Sequence, residues 1–256
     1  MFSTTEITSH KIASDNPIHQ RLFFAYHQAS QMISGEVLEI GCGVGRGLEV
    51  ILANCQNYTA LDKNEQLITL LQEKYPQHRF ITHHIPPLAS LEDESFDFVI
   101  TFQVIEHIKE DDFLVQEIRR VLKKTGKLII STPNIKQSLT RNPWHIREYT
   151  AEQLKNLLLR YFTEIKTYGV AGNEKVMQYH EANRLAVAKF KKWDIFNLEK
   201  NLPRWALQIP YDILNRINRK KLLKNPNSLA NQIDYTDYFL SQNPETSLDL
   251  FYIATK

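Results

Sequence analysis

The chain predicts an α/β fold: a mostly parallel, seven-stranded sheet with helices on both faces, and a helical insertion before the last strand. Three observations carry this. Short apolar runs alternate with segments of helical periodicity between residues 35 and 170, the pattern of βαβ units. A glycine-dense turn follows the first of those runs. A stretch of helical pattern over 171–246, too long for a simple connection, separates the last two strands.

Each element has its own signal. Asp15-Asn16-Pro17 has the form of a helix cap followed by proline in the first turn, and Leu22, Tyr26, Ala29 and Ile33 recur at helical spacing over 17–33. Val37-Leu38-Glu39-Ile40 reads as a strand, and 48–53 as a helix after the glycine turn. Residues 58–62 form a second strand ending on Asp62; 64–74 form a helix closed by Tyr75-Pro76. Strands follow at 79–83 and 96–102. Val115, Ile118 and Val121 mark one face of a helix at 112–122. A strand at 127–131, a helix at 150–161 opened by Thr150 and Gln153 as a capping box, and a strand at 164–170 complete the alternation. The last strand is 248–254. This divides the chain into an N-terminal helical segment (1–34), a sheet domain (35–170 and 247–256) and the insertion (171–246).

Composition narrows the function classes. The chain has 256 residues, 43% hydrophobic and 23% charged, which suits a globular protein with a full core. A net charge of +2 disfavours a nucleic-acid partner met by bulk electrostatics. Cys42 and Cys55 form no zinc or CxxC pattern, and their scarcity suits a reducing compartment. No apolar run approaches the roughly 18 residues of a membrane span, and the first residues lack the apolar core of a secretory leader. A cytoplasmic location is the expectation. Oligomeric state leaves no trace in the sequence.

The turn Gly41-Cys42-Gly43-Val44-Gly45-Arg46-Gly47 puts bare backbone at the end of a first strand, where a nucleotide-like cofactor can approach closely. A dinucleotide fingerprint, G-x-G-x-x-G/A, fits poorly: one register places Arg46 and the other Leu48 where a small residue is required. The pattern E-x-G-x-G-x-G is met by Glu39, Gly41, Gly43 and Gly45 without exception. It resembles motif I of the class I S-adenosylmethionine-dependent methyltransferases, whose fold is Rossmann-like. Ser95-Phe96-Asp97-Phe98-Val99-Ile100, Val104-Ile105-Glu106-His107-Ile108 and Ser131-Thr132-Pro133-Asn134 resemble segments of the ubiquinone and menaquinone biosynthesis group, methyltransferase type 11. The resemblance covers 35–170 and the final strand.

The resemblance implies S-adenosylmethionine as cofactor. Gly41, Gly43 and Gly45 would line its methionine end, Glu39 would orient its amino group through water or backbone, and Asp62 would hold the ribose hydroxyls. Gln103 would touch it through its backbone, His84 would stand near the adenine, and Tyr26 would cover it from the first helix.

On the acceptor side, His107 is the candidate general base, since histidine titrates near operating pH. Glu106 and the loop residues His145, Arg147 and Tyr149 are candidates to face the acceptor. Some quinone O-methyltransferases have an acid where this chain has Gln103, and its absence leads to an expectation of no metal. The implied activity is methyl transfer, by preference to oxygen, on a small-molecule, lipid-linked or glycan-type acceptor. A catalytically silent binding subunit and an NAD(P)-dependent oxidoreductase are the alternatives.

The insertion is expected to cover the acceptor. Trp205, Ile209, Ile213 and Ile217, with Leu214, form one apolar stripe, and Arg204, Arg216, Arg219, Lys220, Lys221 and Lys224 add positive charge. The stripe either docks on the sheet domain, lines a hydrophobic acceptor pocket, or meets an anionic membrane surface peripherally.

Overall fold

The computed structural model describes residues 13–191, 202–223 and 229–256. Lys224 and the first twelve residues lie outside that range. The strands are β1 (Glu36–Ile40), β2 (Asn57–Asp62), β3 (Arg79–Thr82), β4 (Phe96–Phe102), β5 (Leu122–Pro133), β6 (Glu164–Gly172), β7 (Tyr238–Ser241) and β8 (Asp249–Thr255). They form one sheet in the order β3-β2-β1-β4-β5-β8-β6-β7. The first five pair in parallel. β8 runs antiparallel between β5 and β6, and β7 adds an antiparallel edge. The sheet therefore has eight strands rather than seven. The extra one, Tyr238-Phe239-Leu240-Ser241, belongs to the insertion, which is not wholly helical.

Helices cover both faces. α4 (Asp111–Val121) and α5 (Ala151–Leu159) close one core, in which Leu114, Val115, Ile118 and Val121 are fully buried. Each such side chain contributes about 1.5–3 kcal/mol. α1 (Asn16–Ser30), α2 (Leu48–Leu52) and α3 (Glu65–Lys74) close the other. The expected box at Thr150 and Gln153 caps α5. Asp15 does not cap α1. Its carboxylate instead meets Arg219 at 2.8 Å and Arg216 at 3.1 Å.

Those arginines lie on α7 (Arg204–Leu223), which with α6 (Glu174–Lys191) and the short α8 (Leu229–Gln232) makes up the α-helices of the insertion among the described residues. Asn218 Nδ2 donates to Asn183 Oδ1 at 2.7 Å and ties α7 to α6. The apolar stripe of α7 faces outward: Trp205 is 74% and Ile209 71% exposed, with Ile213, Leu214 and Ile217 also exposed. It neither docks on the sheet domain nor lines a pocket, because the opposite, polar face of the helix turns inward. No helix among the described residues is long and apolar enough to cross a membrane.

Candidate active site

The carboxyl ends of β1 and β4 open into a cleft of about 340 Å³, roofed by α6 and α7. A crevice at this end of a parallel sheet is where such folds bind ligands. The glycine turn forms its floor. Gly43 has φ +52°, and a Cβ there would meet nothing within 4 Å. The backbone thus presents a bare face to open space, as close approach of a ligand requires. Gly47 answers a different need, because a Cβ there would fall 2.0 Å from the Tyr26 ring.

Tyr26 lines the cleft and donates its hydroxyl to Glu39 Oε1 at 2.6 Å. Tyr58 donates to the other oxygen of Glu39. Glu39 is buried beneath the turn, so it reaches the cleft only through Tyr26. Burial pushes its carboxyl above the usual range, and the two tyrosine hydroxyls oppose that rise. Asp62 accepts Gly43 N–H at 2.8 Å and Asn64 N–H at 2.9 Å. Asn64, not Asp62, caps α3. A carboxylate has about four acceptor positions, so two remain for a pair of ligand hydroxyls. His84 is exposed on the loop after β3 and does not line the cavity.

At the far end, Gln103 leaves β4 with φ +57° and is followed by Glu106 and His107. The backbone carbonyl of Glu106 accepts Ile146 N–H at 2.7 Å, which brings the 142–148 loop against it. His107 and His145 rings then meet edge to face at 4.9 Å. The Nδ1 nitrogens are bound on both rings: His107 to the Trp144 carbonyl at 2.9 Å, His145 to Glu148 Oε1 at 2.7 Å. His145 Nε2 accepts from Asn142 at 2.8 Å. A donor at Nδ1 makes Nε2 the basic nitrogen of each ring.

Glu106 is fully buried, accepts Thr132 Oγ1 at 2.9 Å, and leaves its Oε1 without a partner. Burial pushes its carboxyl up to about 7, with the His145 charge pulling the other way. Folded Glu106 therefore holds its proton at pH values where the unfolded chain has lost it. Its effect on stability is favourable below the ordinary carboxylate value and fades as pH rises to about 7. Denaturant titrations should show the wild type losing up to about 3 kcal/mol relative to Glu106→Gln between pH 4 and 8. A pH-independent difference would refute this.

Glu106, His107 and His145 each bring one donor atom within 4.8 Å of the others. The expectation of no metal rested on Gln103; a cation here would need the Asn142 amide to leave His145 Nε2. Arg147 and Tyr149 turn away from the cleft and clamp Asp111, at 2.8 and 2.6 Å. The loop bends between His145 and Glu148 rather than staying extended, so the predicted acceptor loop is split. Glu148, absent from the sequence candidates, lines the cleft instead. Its three-residue spacing from His145 was the available signal.

Residues 38–130 match the methyltransferase domain family. A probable S-adenosylmethionine-dependent methyltransferase of Mycobacterium tuberculosis is 36% identical over 147 residues, 56% of this chain and 51% of the relative. Residues 38–130 are a methyltransferase domain. A ubiquinone biosynthesis O-methyltransferase of Idiomarina loihiensis is 30% identical to the chain over 129 residues, 49% of the chain and 51% of the relative. The chain spans about half the length of these two curated relatives. The structure of an S-adenosylmethionine-dependent methyltransferase of Thermotoga maritima shares the methyltransferase-domain fold: TM-score 0.58, 15% identity, 93% of this chain and 91% of that one. The residues present fit the cofactor, with open space over Gly43 and spare acceptor positions on Asp62.

Proposed function

We propose that the protein transfers a methyl group from S-adenosylmethionine to a hydroxyl of a small-molecule acceptor, free or carried on a lipid or glycan. The supporting observation is the single cleft that runs from the bare Gly43 backbone to His107 under the insertion helices. When bound, the cofactor supplies an electrophilic methyl on its sulfonium. Asp62 holds the ribose hydroxyls, and Tyr26, fixed by Glu39, packs on the turn. His107 takes the acceptor proton at Nε2, its ring oriented by the Trp144 carbonyl. α6 and α7 cover the acceptor and exclude water. The near-zero net charge favours a small acceptor over nucleic acid.

Calorimetry tests the cofactor. S-adenosylmethionine should bind with micromolar affinity, about −8 kcal/mol, and Asp62→Ala should weaken it by about 1–3 kcal/mol. Heat with NADH and none with S-adenosylmethionine would overturn the reading in favour of an oxidoreductase. Binding without turnover on any hydroxyl acceptor would favour a silent binding subunit.

The Glu106–His107–His145 cluster favours a second reading, in which these donors hold a divalent cation that acidifies the acceptor hydroxyl. Turnover lost on dialysis against a chelator and restored by Mn²⁺ would select it over the free base.

A further inference from the structure

Resting on the methyltransferase reading, the lining of the cleft under α6 and α7 carries information about the acceptor. Several of its charged groups are already matched within the protein. Arg21 meets Asp249 at 3.1 Å, Arg219 meets Asp15 at 2.8 Å, and Glu148 meets His145 at 2.7 Å. His180 is held below the usual histidine range by burial and by Arg21, which favours its neutral form. An anionic acceptor would find Arg21 and Arg219 taken, and a cationic one Glu148.

The rest of the inner surface mixes uncharged polar side chains with apolar ones. Tyr211 and Asn215 on α7, and Tyr179 and Asn183 on α6, all face the cleft. Beside His107, Gln103 Nε2 and Glu106 Oε1 are a buried donor and acceptor with no partner. An apolar ligand would leave such groups unsatisfied, at a cost of about 1–3 kcal/mol each. Leu22, Phe102, Leu139 and Leu248 give the same cleft apolar patches among these polar groups, while the stripe of Trp205, Ile209 and Ile213 points away from it. What satisfies interleaved amides and hydroxyls is a ligand that both donates and accepts at several positions and has faces that pack on tyrosine rings.

We propose that the methyl acceptor is a neutral, hydroxyl-rich molecule of the saccharide class, bound between α6, α7 and the end of β4. Tyr179, Asn183, Tyr211 and Asn215 hold its non-reacting hydroxyls. Gln103 and Glu106 hold the position beside the one presented to His107.

The test is a calorimetric titration of the protein saturated with S-adenosylhomocysteine. The probes are methyl α-glucopyranoside and methyl α-mannopyranoside, with glucuronate and hydroquinone as the anionic and apolar comparisons. A neutral glycoside should bind saturably and at least tenfold more tightly than either comparison. Asn215→Leu should weaken it at least tenfold and Tyr179→Phe at least threefold. Both variants should keep their S-adenosylhomocysteine affinity within twofold, which shows that they fold. The proposal is overturned if no glycoside saturates, if glucuronate or hydroquinone binds more tightly, or if both folded variants bind the glycoside like wild type. If S-adenosylhomocysteine itself fails to bind, the methyltransferase reading falls and takes this one with it.

Discussion

His107→Ala is expected to lower turnover by about 10²–10⁴ while leaving cofactor affinity intact. His107 and the glycine turn both line the cleft, and on the proposed reading the imidazole serves the acceptor and the turn the cofactor. Its Nδ1 is engaged by the Trp144 carbonyl, so removal of the ring takes away the basic nitrogen that this bond orients. His145→Ala serves as the comparison. That ring packs on His107 and is held by Glu148 and Asn142, so its loss should misplace the base and cost less. Single-turnover rates with saturating cofactor would separate the two. Unchanged turnover in His107→Ala would mean that alignment alone drives transfer.

The second large effect concerns the lid rather than the chemistry. Asp15 is fully buried and faces two guanidiniums of α7 that are only 19% and 13% exposed. Removing one member of a buried ionic set costs about 3–5 kcal/mol. Asp15→Ala should therefore release α7 locally. Amide exchange over 204–219 should accelerate by roughly 10²-fold, the equivalent of about 3 kcal/mol. Acceptor turnover should fall, and cofactor affinity should stay within about tenfold. Wild-type exchange in α7 would show that other contacts hold the lid.

Local pattern and tertiary choice explain what could be read from the sequence. The βα alternation was legible because central parallel strands such as Val37-Leu38-Glu39-Ile40 are buried on both sides and read as apolar runs. The glycine turn was legible because a positive φ at Gly43 restricts residue type. β7 was not: four residues of mixed burial become a strand only by pairing with β6. The stripe on α7 was visible as periodicity, but periodicity states that a helix has two faces without saying which one turns inward. Asp15 looked like a cap because its partners lie some two hundred residues away. Glu39 belonged to the motif, yet only the fold brings Tyr26 from α1 and Tyr58 from β2 onto its two oxygens.

The position of β8 has a consequence for how the molecule is assembled. This strand, last in the chain, is hydrogen-bonded on one side to β5 and on the other to β6. During synthesis from the N-terminus, the first five strands can associate by right-handed crossovers as they emerge. β6 and β7 have no neighbour in that sheet until residues 249–255 arrive between them. Until then the nascent chain carries two open strand edges, along β5 and β6. Such edges are templates for wrong pairing. Closure is a single event in which residues 249–255 bond both edges at once.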